Sequence, residues 1–365
     1  MANKHSASDL QQMQSLPLDA KIAMTQQRIE AWYESWIRYE IVNERTGKVR
    51  FVTATEEPPL KEGEYIESAE RGQVYVSFSG GKDSTVLKHI VDSMYDDVPS
   101  LFVNTGLEYP EIQRFAMTQK NVITVRPEMR FDQVLKTHGY PVASKEVAQT
   151  VREARIGLER GDGSYLFRIL KLKGELRDKE GNLSHYNKKK WKFLLDAPFQ
   201  ISERCCDVMK KNPAKKYEKE TGRKPIIGAM ASESNLRRDR WIRYGCNAFD
   251  AKKRPSSNPL SFWTENDILQ YIVENNLPYA SVYGDIVQDK KGYRTTGCSR
   301  TGCVFCAFGV HCEKGLNRFQ QLKQTHPRQY EYCIGGGEMV DGVWQPSKEG
   351  LGLGKVLDYM GVKYD

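Results

Sequence analysis

Hydrophobic positions change their rhythm along this chain, and each change marks an element. Over residues 19–36, DAKIAMTQQRIEAWYESW, apolar residues including Ile22, Ile29 and Trp32 recur at helical spacing, so an amphipathic helix is expected. RYEIVNERTGKVRFVTA then alternates around a Gly-containing turn, as a hairpin over 37–54 does. TEEPPLKEGEYIESAERG (55–72) is acidic and rich in turn formers, and reads as a surface connector. From residue 73 strands and helices alternate. QVYVSFS is a buried strand, and KDSTVLKHIVDSMY a helix with Val86, Leu87, Ile90 and Val91 inward. SLFVNTG, NVITVRP and KPIIGAMAS are further strands, and EYPEIQRFAMTQ a further helix. Other helices are expected near 130–138, from 144, and over about 205–219, with a polar insertion at 176–195. Thr264 caps one more, with Asp267 at its third position.

Such alternation argues for parallel strands joined by crossover helices. The expected fold is α/β, a doubly wound and mainly parallel sheet. A helical N-terminal segment precedes it and a Cys-rich C-terminal subdomain follows. The expected segments are 1–70, 71–285 and 286–365. In the last, Gly, Cys and Thr dominate residues 292–312. NRFQQLKQTHPRQYEYCI is then helical, interrupted at His326-Pro327, and a Gly-rich tail ends the chain.

Charge narrows the class. The formal net charge is +8, concentrated in KKNPAKKYEKETGRK (210–224), NKKKWK (187–192), RRDRWIR (237–243) and DAKKR (250–254). Such runs serve either as solvated helix faces or as contacts for nucleotides, tRNA or DNA. No apolar run nears the roughly 20 residues that span a bilayer. The N-terminal residues lack the apolar core of a signal peptide. A soluble, cytoplasmic chain with no membrane partner is expected, and its eight cysteines are then read as metal or sulfur chemistry, not disulfides.

The stretch VYVSFSGGKDSTVLKHIV (74–91) carries the sharpest chemical signal. It is not a Walker loop, because Asp83 follows Gly81-Lys82 and Val76 stands where that pattern needs its first Gly. Yet Ser79, Gly80, Gly81, Lys82, Asp83 and Ser84 leave a strand and open a helix. Two glycines let successive amides turn toward an anion, and the helix N-terminus adds partial positive charge. Ser79, Lys82 and Ser84 add side-chain donors.

Ser-Gly-Gly-x-Asp-Ser resembles the PP-loop of the adenine-nucleotide α-hydrolase-like superfamily. FVNTGLEYPE (102–111), CCDVMKKNP (205–213), GAMASESNLR (228–237) and PLSFWTENDILQYI resemble segments of its phosphoadenosine-phosphosulfate (PAPS) reductase branch. The resemblance covers residues 70–285. It implies that residues 79–84 bind the phosphates or sulfate of ATP or PAPS. It also places Asn104 (replacing the usual Asp), Thr105, Gly106, Glu233, Ser234 and Arg237 near the nucleotide. Reductases of this branch carry a late nucleophilic Cys in Glu-Cys-Gly…His, whereas the late Cys333 here sits in YEYCIGGGE.

GCSRTGCVFCAFGVHC spaces Cys298, Cys303, Cys306 and Cys312 by four, two and five residues. Four thiolates around a Cys-x2-Cys suit one metal centre. The apolar neighbours Val304, Phe305, Ala307 and Phe308 favour an iron–sulfur cluster, 4Fe-4S, over zinc. This end of the chain resembles that of the DNA-phosphorothioation sulfurtransferases. The adenylylsulfate reductases offer a rival arrangement, which would put Cys205, Cys206, Cys303 and Cys306 on the cluster. With the first set, Cys205 or Cys206 is free to carry a persulfide, its thiol acidified by the basic helix start around it. Cys246 and Cys333 read as packing residues.

The resulting expectation is an ATP-dependent sulfurtransferase cleaving its nucleotide at the α-phosphate, with Mg²⁺ offsetting phosphate charge. Lys82 neutralises the developing charge, Asp83 orients the loop or Mg²⁺, and Cys206 carries sulfur to a nucleic-acid or nucleotide acceptor. The alternatives are a PAPS or adenylylsulfate reductase, and a nucleotide-sensing regulatory or defence protein working with a ParB-like partner.

Overall fold

The computed structural model describes residues 3–249 and 254–365. They fall into two compact units that cut across the linear segments expected from sequence. The first comprises the chain up to Asn104, then Glu108–Arg126 and Pro213–Thr301. The second comprises Thr105–Leu107, Pro127–Asn212 and Gly302–Asp365. Of the basic run at 250–254, residues 250–253 lie outside the described residues, and Arg254 pairs with Glu218.

The first unit is built on a six-stranded sheet. Its strands lie side by side in the order Val122–Val125, Ser100–Val103, Val74–Phe78, Lys224–Ile227, Ser256–Ser257 and Asn247–Ala248. All neighbours are parallel except the last pair. The alternating side chains of Val74–Phe78 reach two cores. Val74, Val76 and Phe78 join Val86, Leu87 and Ile90 of helix Lys82–Met94, while Tyr75 joins Tyr217 of helix Asn212–Thr221. A strand covered on both faces has no need of polar residues, which is why VYV reads as an unbroken apolar run. The expected doubly wound α/β fold is thus present.

Helix Leu18–Ser35 is tied to the same core. Its Lys21, only 2% exposed, donates to Asp267 at 2.6 Å and to the Gln14 carbonyl at 2.7 Å. Asp267 also closes the capping box with Thr264 that the sequence predicts. The hairpin is present as Ile37–Asn43 with Val49–Ala54. The connector reading of 55–72 needs correction, because Glu64–Glu70 adds a third antiparallel strand to Ile37–Asn43. Its side chains are mostly exposed, so backbone pairing at a sheet edge holds it without an apolar stripe to announce it.

The second unit is largely helical, with Phe131–His138, Lys145–Arg160, Leu166–Lys173, Arg318–Thr325, Pro327–Ile334 and Leu353–Tyr359. The expected break at His326-Pro327 is present, with Pro327 starting a new helix, and Gly161 ends Lys145–Arg160 in the left-handed region. A two-residue parallel pairing joins Val142–Ala143 to Ala307–Phe308. The Arg155 guanidinium donates to the carbonyls of Leu194, Ala197 and Phe199 at 2.7–2.9 Å, fastening the polar insertion to the helices. The Gly-rich tail is ordered, as a hairpin of Glu338–Val340 with Val343–Gln345 followed by the last helix. Among the described residues no helix is long and apolar enough to cross a membrane.

Candidate functional site

Strand order reverses between Val74–Phe78 and Lys224–Ile227, since the chain runs outward in opposite directions from this pair. Ligands of open α/β sheets bind beyond the carboxyl ends of the strands at such a point. Residues 79–84 leave Val74–Phe78 there and lead into helix Lys82–Met94. Gly80 has φ +72, and a side chain on it would meet the Ile112 carbonyl at 3.0 Å, so only glycine fits. Gly228, just past Lys224–Ile227, would likewise press on the Asp83 carbonyl at 3.1 Å.

Hydroxyl oxygens already face several amides of this turn. Ser84 Oγ accepts from the Ser79 N–H at 3.1 Å, Ser79 Oγ from the Gly81 N–H at 3.3 Å, and the Tyr283 hydroxyl from the Lys82 N–H at 3.2 Å. A turn whose amides converge on oxygens is the geometry an anion requires. The Lys82 ammonium, on a side chain 4% exposed, donates to the Ser299 carbonyl at 3.0 Å. It also lies 3.3 Å from Glu265 and 3.4 Å from Asp83. Asp83 Oδ1 is buried without a hydrogen bond, and burial pushes its carboxyl up against the opposing pull of Lys82.

Glu233 accepts from the Met230 N–H at 2.9 Å, pairs with Arg237, and has Arg300 at 3.8 Å. Ser234 serves as the N-cap of helix Asn235–Tyr244, accepting from the Arg237 N–H. Burial, and then the neighbouring Arg300, lower the Arg237 guanidinium from its usual value. Asn104 is buried and ends the pairing of Ser100–Val103 by donating to the Val125 carbonyl at 2.9 Å. Thr105 and Gly106 belong to the second unit, where the Thr105 hydroxyl accepts from the Leu107 N–H. Tyr283, Glu265 and Arg300 went unread in the sequence. Each is brought to the loop from at least 180 residues away, and no local pattern marks it.

The second unit holds six of the eight thiols. Cys205, Cys206, Cys303 and Cys306 line one pocket with Phe131, Met209 and Lys210 among its other walls. Cys303 and Cys306 form a tight turn closed by a 3.1 Å backbone hydrogen bond, and the Val142–Ala143 pairing fixes the chain just beyond it. Cys205 and Cys206 enter a π-helical turn, Asp207–Lys211, their sulfurs 4.0 Å apart. The Cys205 S–H donates to Cys206, and with Lys145 and Lys210 it lowers the Cys206 thiol, while Cys205 itself is raised. Cys312 is exposed, and Cys298 belongs to the first unit. Cys246 and Cys333 are buried, and burial raises both thiols.

Soft sulfur donors in an apolar setting suit an iron–sulfur cluster or zinc. Among the described residues, no group of three or more His, Cys, Asp or Glu is arranged to hold a metal ion.

The PAPS-reductase resemblance can now be tested directly. The family model of the phosphoadenosine phosphosulfate reductase domain matches residues 73–155 and 163–306. The chain belongs to this family. The match takes in both the loop at 79–84 and the four pocket thiols. Among curated proteins, an uncharacterized protein of Methanocaldococcus jannaschii is 22% identical over 265 residues, or 72% of this chain and 46% of the relative. The chain therefore spans less than half the length of the curated relative it matches. A solved phosphoadenylyl-sulfate reductase from Candida auris, in a phosphate complex, is 16% identical, with a TM-score of 0.31. That similarity covers 60% of this chain and 83% of the reductase chain.

Proposed function

We propose that this family member is an adenine-nucleotide-dependent sulfur-transfer enzyme, its nucleotide held at residues 79–84 and its sulfur chemistry at the pocket thiols. The carrying observation is that four cysteines, two from each of two distant motifs, line one apolar pocket. In this reading Ser79, Gly80, Gly81 and Ser84 would hold the phosphates, and Arg237 and Lys82 would supply positive charge. Lys82 would turn from the Ser299 carbonyl to do so. The buried Asp83 carboxylate, beside the Lys82 ammonium, is of the hard donor type that suits Mg²⁺. An acceptor oxygen would attack the α-phosphorus of ATP, breaking the α–β phosphoanhydride bond and releasing pyrophosphate. The outer sulfur of a Cys206 persulfide would then displace AMP, its new bond replacing that to the adenylated oxygen. A second pocket thiolate would cleave the remaining S–S bond, leaving sulfur on the acceptor and a protein disulfide that an external thiol reduces.

Of the two donor sets, Cys205, Cys206, Cys303 and Cys306 would be the better placed to hold an iron–sulfur cluster, because they line one pocket within one unit whereas Cys298 and Cys312 lie in different units. As they stand, however, these thiols are not grouped as metal ligands among the described residues. Such a cluster would supply a sulfur-rich centre for holding or handing on sulfur. Without it, the depressed Cys206 thiol is the thiolate best suited to bear a persulfide.

The reductase alternative needs a late cysteine nucleophile. Cys333 is fully buried and its thiol is raised, the reverse of what an attacking thiolate requires. The deciding experiment is anaerobic purification followed by two assays. Pyrophosphate release from ATP in the presence of an acceptor supports this reading, whereas thioredoxin-dependent sulfite release from PAPS overturns it. Iron content separates the ligand sets. Cys205→Ser and Cys206→Ser lose iron under the pocket assignment, whereas Cys298→Ser and Cys312→Ser lose it under the other.

A further inference from the structure

One basic run remains unused by the two sites. In the segment NKKKWK, Lys188, Lys189, Lys190 and Lys192 stand in six residues without an acidic one. Glu146 takes up Lys188 at 3.5 Å and Lys171 at 2.6 Å. Among the described residues, Lys189, Lys190 and Lys192 pair with no carboxylate, and all three are exposed. Solvated lysines alone would mean little. Here they are flanked by aromatic rings that the fold leaves uncovered.

Tyr186 is 57% exposed, its ring tilted against that of His185 with centroids 3.8 Å apart, and Phe193 is 39% exposed beside Trp191 at 6.1 Å. These rings are held in place. Trp191 is buried against His311 and carries the Lys190 ammonium over its face at 5.1 Å. The Lys189 stem lies along Gly174. The Tyr359 hydroxyl donates to the Phe193 carbonyl at 3.0 Å, and Arg155 clamps the carbonyls that follow. The segment is therefore a fixed strip of cations and open ring faces, with its ordering cost met in folding.

Fixed cations track a phosphodiester backbone, and open ring faces accept bases only where those bases are unpaired. We infer that residues 185–193 form a binding surface for single-stranded nucleic acid. The inference deepens the reading above, resting on it only for the purpose such a strand would serve, that of sulfur acceptor. Duplex nucleic acid offers phosphates without free base faces, and an acidic peptide offers charge without bases, so each would use half of the strip.

The test uses the full chain, without nucleotide, and fluorescein-labelled oligothymidylate or oligouridylate read by anisotropy. One or both should bind, and affinity should fall with salt. Replacing Lys189, Lys190 and Lys192 by Gln should lower the slope of log affinity against log salt by about 2, at about 0.7 per phosphate contact. The corresponding triple Arg variant should retain binding. Tyr186→Ala should weaken binding about tenfold, as loss of one stacked base does, and Tyr186→Phe should not. Thermal melts of every variant separate loss of fold from loss of contact. Equal binding of a duplex, equal competition by polyglutamate, unaltered binding by the Gln triple variant, or no binding overturns the inference. Pyrophosphate release from ATP is scored separately. Oligonucleotide binding without turnover leaves this surface standing and removes the enzymatic reading, and turnover on a mononucleotide acceptor without oligonucleotide binding does the opposite.

Discussion

Cys205 and Cys206 are adjacent in the chain, yet their surroundings move their thiols in opposite directions. The Cys205 S–H, Lys145 and Lys210 all favour the Cys206 thiolate, so its folded-state pKa lies below that of the unfolded chain. That thiolate stabilises the fold above the ordinary thiol range, near 8.5, and the contribution is lost as pH falls through the depressed value. In chelator-treated protein at pH 7, iodoacetamide should label Cys206 first, with Cys246 and Cys333 reacting only after unfolding. Lys145→Gln should raise the half-labelling pH of Cys206 by about one unit. Peptide mass spectrometry reads both outcomes, and equal labelling of Cys206 and Cys246 would refute the assignment. The sequence led to the expectation that these cysteines serve metal or sulfur chemistry. It could not show which four share a pocket, because Cys-x2-Cys spacing fixes two neighbours and leaves the other partners to the tertiary fold.

Local rules read most elements well where burial imposes a period. The apolar run of Val74–Phe78 and the capping box at Thr264 both stand where the sequence put them. Strand Glu64–Glu70 escaped because its mostly exposed side chains leave no apolar alternation to read. The link from the Asp267 cap to Lys21 escaped because 246 residues separate them. This buried pair makes a measurable demand. Lys21→Met removes one partner and leaves the Asp267 carboxylate beneath helix Leu18–Ser35, which should cost about 3 kcal/mol. Urea unfolding should show that loss, and Lys21→Met combined with Asp267→Asn should recover part of it. A loss below about 0.5 kcal/mol would show the pair to be solvated.

At the scale of the whole molecule, the proposed function gives each unit one chemistry: anion binding at residues 79–84 in the first, sulfur at the pocket thiols in the second. Each can be disabled alone. Gly80→Val forces a branched side chain against Ile112 at positive φ, a strain of about 1–3 kcal/mol. It should weaken ATP binding at least tenfold by calorimetry while leaving the Cys206 labelling profile intact. A changed profile would show that the chemistries are not separable. The fold class was legible because alternating strands and helices admit few topologies. The division into units was not, since the chain crosses between them repeatedly. The Lys82 contact with the Ser299 carbonyl has a last consequence. A triphosphate bound at residues 79–84 as proposed would compete with the Ser299 carbonyl for one ammonium, and so would release the surrounding stretch 296–301. Amide deuterium uptake there should speed up on adding ATP, making these residues a built-in gauge of occupancy.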